Sequence, residues 1–123
     1  MDENGIRSVL TSYLRAKNPK LRIYKEKSIG GSICDVMVVT DILTGYEIKS
    51  DRDNYSRLDR QIVYYNWFFN EIYIVVGESH EQSASTKVPL HWGIMEIASD
   101  KVVLKRKAKP NPYYQAKRQL FFV

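Results

Sequence analysis

The chain has 123 residues, 44% hydrophobic and 27% charged, a composition typical of one small domain with a single modest core. Its one cysteine, Cys34, excludes an intrachain disulfide framework, and two histidines without a Cys/His cluster argue against structural zinc. No apolar run reaches the roughly 20 residues of a membrane helix, and the acidic start MDEN lacks the apolar core of a secretory signal. We therefore expect a cytoplasmic protein that does not contact a membrane.

The positive charge is unevenly placed. The net charge is +5, yet residues 101–123 hold seven lysines and arginines and no acidic residue. A basic end beside a mixed-charge centre is typical of a protein with a polyanionic partner. A basic segment that only keeps the chain soluble would give the same pattern, so charge alone leaves both interpretations open.

The N-terminal third predicts a helix followed by a strand. Apolar side chains recur at helical spacing over Ile6–Lys17, with Asn4 as a candidate N-cap and Asn18-Pro19 as the stop. Residues 21–27 then alternate as in a half-exposed strand, and Gly30-Gly31 marks a turn.

The next segment predicts a β-hairpin. Ile33–Thr40 is a nearly continuous apolar run rich in β-branched residues, as in a buried central strand. Asp41 begins a short connection, and Leu43–Lys49 returns as the partner strand.

The second half predicts one more helix and three strands. The helix is expected over Asn54–Asn70, with Asp53 or Asn54 as its N-cap, and the polar stretch Glu78–Pro89 is expected to be a loop, at most with a short helical turn. The strands are expected over residues 72–76, 91–97 and 101–106. The order α-β-β-β-α-β with a C-terminal β addition predicts an α/β domain with a mixed sheet flanked by helices.

Charged residues on the predicted hairpin are candidates for a site. Glu47 and Lys49 are two positions apart in a strand and so share a face, where an exposed ion pair is the ordinary explanation. Asp35, however, interrupts an apolar strand, and a buried carboxylate is costly unless it is paired or binds a metal. Beside Glu47 in a hairpin it would be repelled unless a cation such as Mg²⁺ lay between the carboxylates. The alternative is a structural bridge between Asp35 and Lys49.

The second predicted helix carries polar groups on its inward face. Gln61 and Tyr65 are four residues apart and so share a face of this helix. An amide and a phenol that face an apolar seam need polar partners, which a charged site beneath the helix would supply. The alternative is a glutamine at the edge of the seam and a tyrosine in the ordinary core.

These residues resemble the motif of the PD-(D/E)XK nuclease superfamily, an Asp on one strand and Glu-x-Lys on the next, here Asp35 and Glu47-Ile48-Lys49. The segment QIVYY, from Gln61 to Tyr65, resembles the Q-x-x-x-Y element of the RecB-like branch. Cys34 stands where the superfamily name has proline, which takes no part in the chemistry. The resemblance implies a restriction-endonuclease-like fold and a metal-dependent nuclease, most simply one that acts on DNA.

The resemblance also implies a metal site. Asp35, Glu47 and the backbone carbonyl of Ile48 would hold Mg²⁺ or Mn²⁺, which polarises the phosphate and acidifies a bound water. A further acidic ligand from the first helix is expected, with Glu3 as the candidate by position and Glu26 as the alternative.

The remaining roles follow from the same resemblance. Lys49 would orient the water or stabilise developing negative charge, and Gln61 and Tyr65 would complete the catalytic group. Candidate nucleic-acid contacts are the basic residues Arg52, Arg57, Arg60, Lys105 and Lys107.

The C-terminal end is aromatic, with Tyr113, Tyr114, Phe121 and Phe122. We expect these rings to pack on the domain or to form a homo-oligomer interface, with base stacking as the alternative. Two other functions fit the same pattern: a catalytically silent nucleic-acid-binding module, and an adaptor or inhibitor that binds a protein.

Overall fold

The structure, a computed structural model, describes residues 1–115 apart from the side chain of Glu81. The helices are α1 (Glu3–Lys17), α2 (Leu58–Phe68) and α3 (Glu81–Lys87), and the strands are β1 (Arg22–Ser28), β2 (Ile33–Val39), β3 (Leu43–Lys49), β4 (Glu71–Gly77), β5 (Gly93–Ala98) and β6 (Lys101–Arg106). The strands form a six-stranded sheet in chain order. The pairs β3–β4 and β4–β5 are parallel and the others antiparallel, so the sheet is mixed. The predicted α/β order is confirmed.

The two faces of the sheet carry separate cores. Helix α1 packs Ile6, Leu10 and Leu14 on one face, against Tyr46 and Ile48 of β3 and their neighbours. Helices α2 and α3 cover the other face. Because side chains of a strand alternate between faces, Glu47 and Lys49 lie on the face covered by α2, where the connection between parallel β3 and β4 crosses the sheet.

The start of α1 differs from the prediction. The helix begins at Glu3, and Asp2 is its N-cap, accepting a hydrogen bond from the Gly5 N–H at 2.8 Å. Asn4 as the N-cap was wrong: its side chain lies inside the first turn and accepts from Arg7 at 2.7 Å. The apolar period that predicts the helix begins only at Ile6, so the earlier turn carries no hydrophobic signal.

The start of α2 also differs. The helix begins at Leu58 rather than Asn54, and neither Asp53 nor Asn54 caps it. Asp53 instead accepts from the Ser50 N–H at 2.8 Å, and Asn54 accepts from the Ser56 N–H at 2.9 Å. These local side-chain bonds compete with helix formation and hold the connection in turns.

The polar stretch after β4 is largely helical rather than a loop. A 3₁₀ turn over Glu78–His80 leads into α3, which places Ala84 in the core beside the sheet. The sequence does not predict this helix, because one buried alanine among serines and threonines gives no hydrophobic periodicity. The predicted strands lie within two residues of those observed, and β3 and β6 have the predicted bounds.

The segment after β6 is fastened to the end of α2. The Asn111 side-chain amide donates to the carbonyls of Asn66 and Phe69, both at 2.7 Å, and Ala108 is buried. Tyr113 and Tyr114 remain exposed, while Phe121 and Phe122 lie outside the described residues. Over the described residues 1–115, no helix is long and apolar enough to cross a membrane.

Candidate active site

The site begins where β2 and β3 part. Their backbone pairing ends at Val36 opposite Tyr46. Asp35 immediately precedes Val36 in β2, and there its carboxylate replaces a backbone carbonyl as the acceptor, taking a hydrogen bond from the Ile48 N–H at 2.7 Å. The strands therefore splay around a carboxylate, which lies beside Glu47 on the neighbouring strand.

Glu47 is held on both carboxylate oxygens. Its side chain is buried, with the residue 2% exposed. Tyr65 Oη donates to Oε1 at 2.7 Å, and Lys49 Nζ lies 3.2 Å from Oε2. Lys49, itself 5% exposed, also donates to Gln61 Oε1 at 3.0 Å. Helix α2 and strand β3 are thus joined by a continuous polar chain of Tyr65, Glu47, Lys49 and Gln61.

Tyr65 connects this chain to β2. Its ring is fully buried, and its hydroxyl accepts from the Asp35 N–H at 3.3 Å while donating to Glu47. The structure therefore brings together all the residues proposed as catalytic: Asp35, Glu47, Lys49, Gln61 and Tyr65. The ion pair that Lys49 forms is with Glu47, so the alternative of an Asp35–Lys49 bridge does not describe the site.

The carboxylates of Asp35 and Glu47 repel each other in a desolvated setting. Burial, followed by the charge of Glu47, raises the pKa of Asp35 to about 8, although the hydrogen bond from Ile48 opposes this shift. Two negative charges are therefore disfavoured here, and the protein favours the protonated form of Asp35 more than water does. Burial also raises the pKa of the neighbouring Cys34 thiol to about 12, which leaves it protonated and unreactive.

The donor chemistry of this pocket fits a divalent cation. Asp35, Glu47 and the Ile48 carbonyl are the candidate ligands, and a cation between the two carboxylates would reduce the repulsion that raises the pKa of Asp35. Within residues 1–115, no group of three or more His, Cys, Asp or Glu side chains is arranged to hold a metal. Mg²⁺ is commonly bound by only one or two carboxylates and keeps several waters, so the pair is sufficient for it.

Both candidates for the further acidic ligand contact the same arginine. Glu3 is paired with Arg7 at 2.7 Å with its side chain 43% exposed, and Glu26 lies 3.6 Å from Arg7 with its side chain 67% exposed. The charge of Glu3 is among those that raise the pKa of Asp35. Glu26 lies between Lys25 and Lys27, whose partners on β2 flank Asp35. It lines the same cleft as Asp35, whereas Glu3 does not.

The cleft above Asp35 has a volume of about 530 Å³ and lies between the β1–β2 turn and the start of α2. Of the predicted nucleic-acid contacts, Arg57 and Arg60 line it and Arg52, Lys105 and Lys107 do not. Lys105 instead pairs with Glu96 at 3.4 Å on the sheet edge. Among the described residues, the lining consists of Glu26, Gly31, Ser32, Ile33, Asp35, Arg57, Arg60 and Gln61.

Sequence reasoning missed Ser32 and Ile33 as residues of the cleft. The available signal was their position between the Gly30-Gly31 turn and Asp35, since a turn that precedes a site strand contributes to the rim of that site.

Comparison with known proteins gives a family and a fold. The model of the bacteriophage P4 protein cII family matches residues 1–122. The solved structure of the SPO1766 protein of unknown function from Silicibacter pomeroyi superposes with a TM-score of 0.71, covering 95% of this chain and 78% of that chain. Its sequence identity is 18%, so the likeness concerns the fold. No curated protein matches the chain.

Proposed function

We propose that this chain, which belongs to the bacteriophage P4 protein cII family, is a metal-dependent nuclease that hydrolyses phosphodiester bonds, with DNA as the favoured substrate. The observation that supports this most is the buried chain of Tyr65, Glu47, Lys49 and Gln61 next to a second carboxylate, Asp35, that opens onto a cleft. It has the residue types and the order of the PD-(D/E)XK motif that the sequence resembles.

Each side chain has a chemical task in this proposal. Asp35 and Glu47, with the Ile48 carbonyl, would hold Mg²⁺ or Mn²⁺, which supplies Lewis acidity and an activated water when bound. Lys49 is a hydrogen-bond donor and carries a positive charge beside these carboxylates, where it would stabilise charge that develops on the phosphate.

Gln61 and Tyr65 have positioning tasks. Gln61 accepts from Lys49 and fixes the direction of the ammonium group. Tyr65 fixes one oxygen of Glu47 and so sets where the other oxygen lies. A site held in this way needs little rearrangement when it acts, which is the condition for electrostatic catalysis.

A purely structural role explains the arrangement less well. A buried ion pair contributes little net stability compared with apolar residues of the same shape. A second carboxylate beside it makes the region less favourable still, because burial and the charge of Glu47 both disfavour the ionised form of Asp35. A role in catalysis therefore explains the presence of both Asp35 and Glu47 more simply than a role in stability.

A second candidate is a nucleic-acid-binding module without catalysis on the same fold. It is favoured by one observation, namely that both carboxylate oxygens of Glu47 already have protein partners. In such a module, Arg57 and Arg60 in the cleft would still contact phosphate.

The deciding experiment combines a cleavage panel with metal calorimetry. The protein is incubated with linear, circular, single-stranded and branched DNA and with RNA, in Mg²⁺, in Mn²⁺ and in chelator. We expect metal-dependent cleavage that is abolished in Asp35→Asn and Lys49→Ala and retained in the control Lys20→Ala, a lysine on an exposed turn. Calorimetry should show metal binding lost in Asp35→Asn and largely kept in Lys49→Ala, because an ammonium group is not a ligand.

Two results would contradict the nuclease proposal. Cleavage by Lys49→Ala at the rate of the unmodified protein would remove Lys49 from the chemistry. Nucleic-acid binding without cleavage under any metal condition would favour the silent module.

A further inference from the structure

The cleft above Asp35 has two chemically different sides. Asp35 and Glu26 contribute carboxylates from the strands, and Arg57 and Arg60 contribute guanidinium groups from the start of α2. Neither arginine forms an ion pair within residues 1–115. Arg60 donates only a long hydrogen bond to the Gly31 carbonyl, at 3.5 Å. Both side chains are exposed, so their donors remain available to an anion.

The rim of the cleft carries an exposed isoleucine. Ile33 is 58% exposed and, within residues 1–115, is the one apolar side chain that lines the cleft, all others being polar, charged or glycine. A ligand that fills this cleft therefore meets carboxylates, guanidinium groups and one apolar surface. A nucleotide presents the matching groups, namely a phosphate and a nucleobase with an apolar face.

The reactive groups lie below the cleft rather than on an open surface. Glu47 and Lys49 are buried, and only Asp35 and Gln61 of the catalytic set line the cleft itself. Its volume of about 530 Å³ is within the roughly 300–1,000 Å³ of small-ligand pockets. This volume holds a nucleotide unit, and the buried Glu47 and Lys49 lie beneath it.

The width of the cleft is fixed by packing between its sides. The β1–β2 turn rests on α2 so closely that a side chain at Gly31 would overlap the ring of Tyr64. Arg60 bridges the same contact, with its guanidinium 5.6 Å from the Tyr64 ring and its hydrogen bond to Gly31. Opening the cleft to admit a duplex would break this contact.

We infer that the cleft takes a single unpaired strand of nucleic acid, with Arg57 and Arg60 on its phosphates and Ile33 against a nucleobase beside the scissile bond. This inference rests on the proposed function for its reaction but concerns the form of the substrate. Unpaired strands include single-stranded molecules, overhangs and gaps. A continuous duplex would first have to open, which costs a few kcal/mol.

The test measures binding separately from cleavage. The Lys49→Ala protein is titrated into short fluorescein-labelled oligonucleotides, single-stranded, blunt duplex and duplex with an overhang, and anisotropy is recorded across a salt series. We expect the single strand and the overhang to bind at least about tenfold more tightly than the blunt duplex, because of the cost of unpairing.

Two sets of variants locate the contacts, each added to the Lys49→Ala protein. Adding Ile33→Ala should weaken single-strand binding about fivefold, because part of an isoleucine side chain is no longer buried. Its control is Ile42→Ala, which alters an exposed isoleucine in the β2–β3 turn outside the cleft.

The second set tests the phosphate contacts. Adding Arg57→Gln and Arg60→Gln together should lower the slope of log affinity against log salt concentration by about 1.4. Adding Arg22→Gln, on an exposed position of β1, should leave this slope unchanged.

The outcomes separate the two proposals. The inference is overturned if blunt duplex binds as tightly as the single strand or more tightly. It is also overturned if Ile33→Ala and Ile42→Ala weaken single-strand binding equally. Both conclusions hold even if the unmodified protein cleaves duplex DNA. If binding follows the expected pattern but the unmodified protein shows no metal-dependent cleavage, the inference about the substrate stands and the nuclease proposal is contradicted. Failure to bind any oligonucleotide overturns the inference. Because the side chains altered in addition to Lys49 are exposed, each added substitution should leave the thermal midpoint of the Lys49→Ala protein unchanged.

Discussion

The two faces of strand β3 differ although they are built from the same seven residues. On the α1 face, Tyr46 and Ile48 pack among apolar side chains, and the Tyr46 ring stacks on Tyr73 with centroids 5.4 Å apart. On the α2 face, Glu47 and Lys49 are equally buried but form a polar chain. Alternate positions of one strand thus serve packing and chemistry.

This difference indicates a division of energetic roles. Apolar burial under α1 stabilises the fold, because it removes hydrocarbon from water without desolvating charge. Burial of Glu47, Lys49 and Asp35 under α2 places charges where solvation is lost, which offsets part of that gain. Substitutions of apolar side chains under α1 should therefore change stability, and substitutions within the polar chain on the α2 face should mainly change activity.

The largest effect is expected from removing the buried ion pair as a unit. In Glu47→Gln with Lys49→Met, both charges go and the volume is largely retained, so cleavage should fall at least about a thousandfold. The midpoint of urea unfolding should stay the same or rise, because no unpaired charge is left behind. Circular dichroism in urea and a cleavage assay measure the two quantities, and a strong loss of stability would show that the pair holds the fold together.

The matching change on the α1 face is Leu10→Ala. Leu10 is fully buried, so its truncation should lower the free energy of unfolding by about 2–5 kcal/mol. The control is Leu104→Ala on the exposed edge strand β6, which should change it by less than about 0.5 kcal/mol. Cleavage per folded molecule should remain that of the unmodified protein, and a proportionate loss of activity at full folding would break the division between the faces.

The pH dependence of metal binding should report on Asp35. Its pKa is raised to about 8, so the native protein holds a proton that the unfolded chain loses near the ordinary pKa. Unfolding free energy of the metal-free protein should therefore fall as pH rises from about 4 to about 8. A metal that binds Asp35 must displace this proton, so affinity should rise about tenfold per pH unit below about pH 8 and then level off.

Calorimetry in buffers of different ionisation enthalpy measures that proton directly. Nearly one proton should be released per metal at about pH 6 and almost none above about pH 9. An affinity that does not change over this range would place the metal, if any binds, away from Asp35.

Features of the structure could be predicted from the sequence where they are determined by residues close together in the chain. Strands β3 and β6 have the predicted bounds because their patterns are set within one short segment. Strand parity placed Glu47 with Lys49, and the helix repeat placed Gln61 with Tyr65. The resemblance to the PD-(D/E)XK motif joined these two pairs with Asp35 in one predicted site.

The features that could not be predicted depend on tertiary geometry or on competing local bonds. The start of α2 was misplaced because Asp53 and Asn54 bond to nearby backbone groups rather than capping the helix. Glu26 adopts a left-handed backbone conformation with φ 52°, inside a strand where no sequence rule expects it. Its place in the cleft depends on how the β1–β2 turn and α2 lie relative to each other, which no single segment encodes.

The smallest effect is expected from Tyr65→Phe, which tests how the two faces are joined. The ring stays in the core against Phe69 and Trp92, but the hydroxyl that holds Glu47 and accepts from the Asp35 N–H is lost. We expect a loss of about 1–2 kcal/mol in unfolding free energy from the unpaired groups and about a tenfold to hundredfold loss in cleavage. The control is Tyr64→Phe, whose ring still packs on the β1–β2 turn. If Tyr65→Phe loses stability while cleavage per folded molecule is unchanged, the hydroxyl supports only the packing of α2 on the sheet, and the position of Glu47 is set by Lys49 alone.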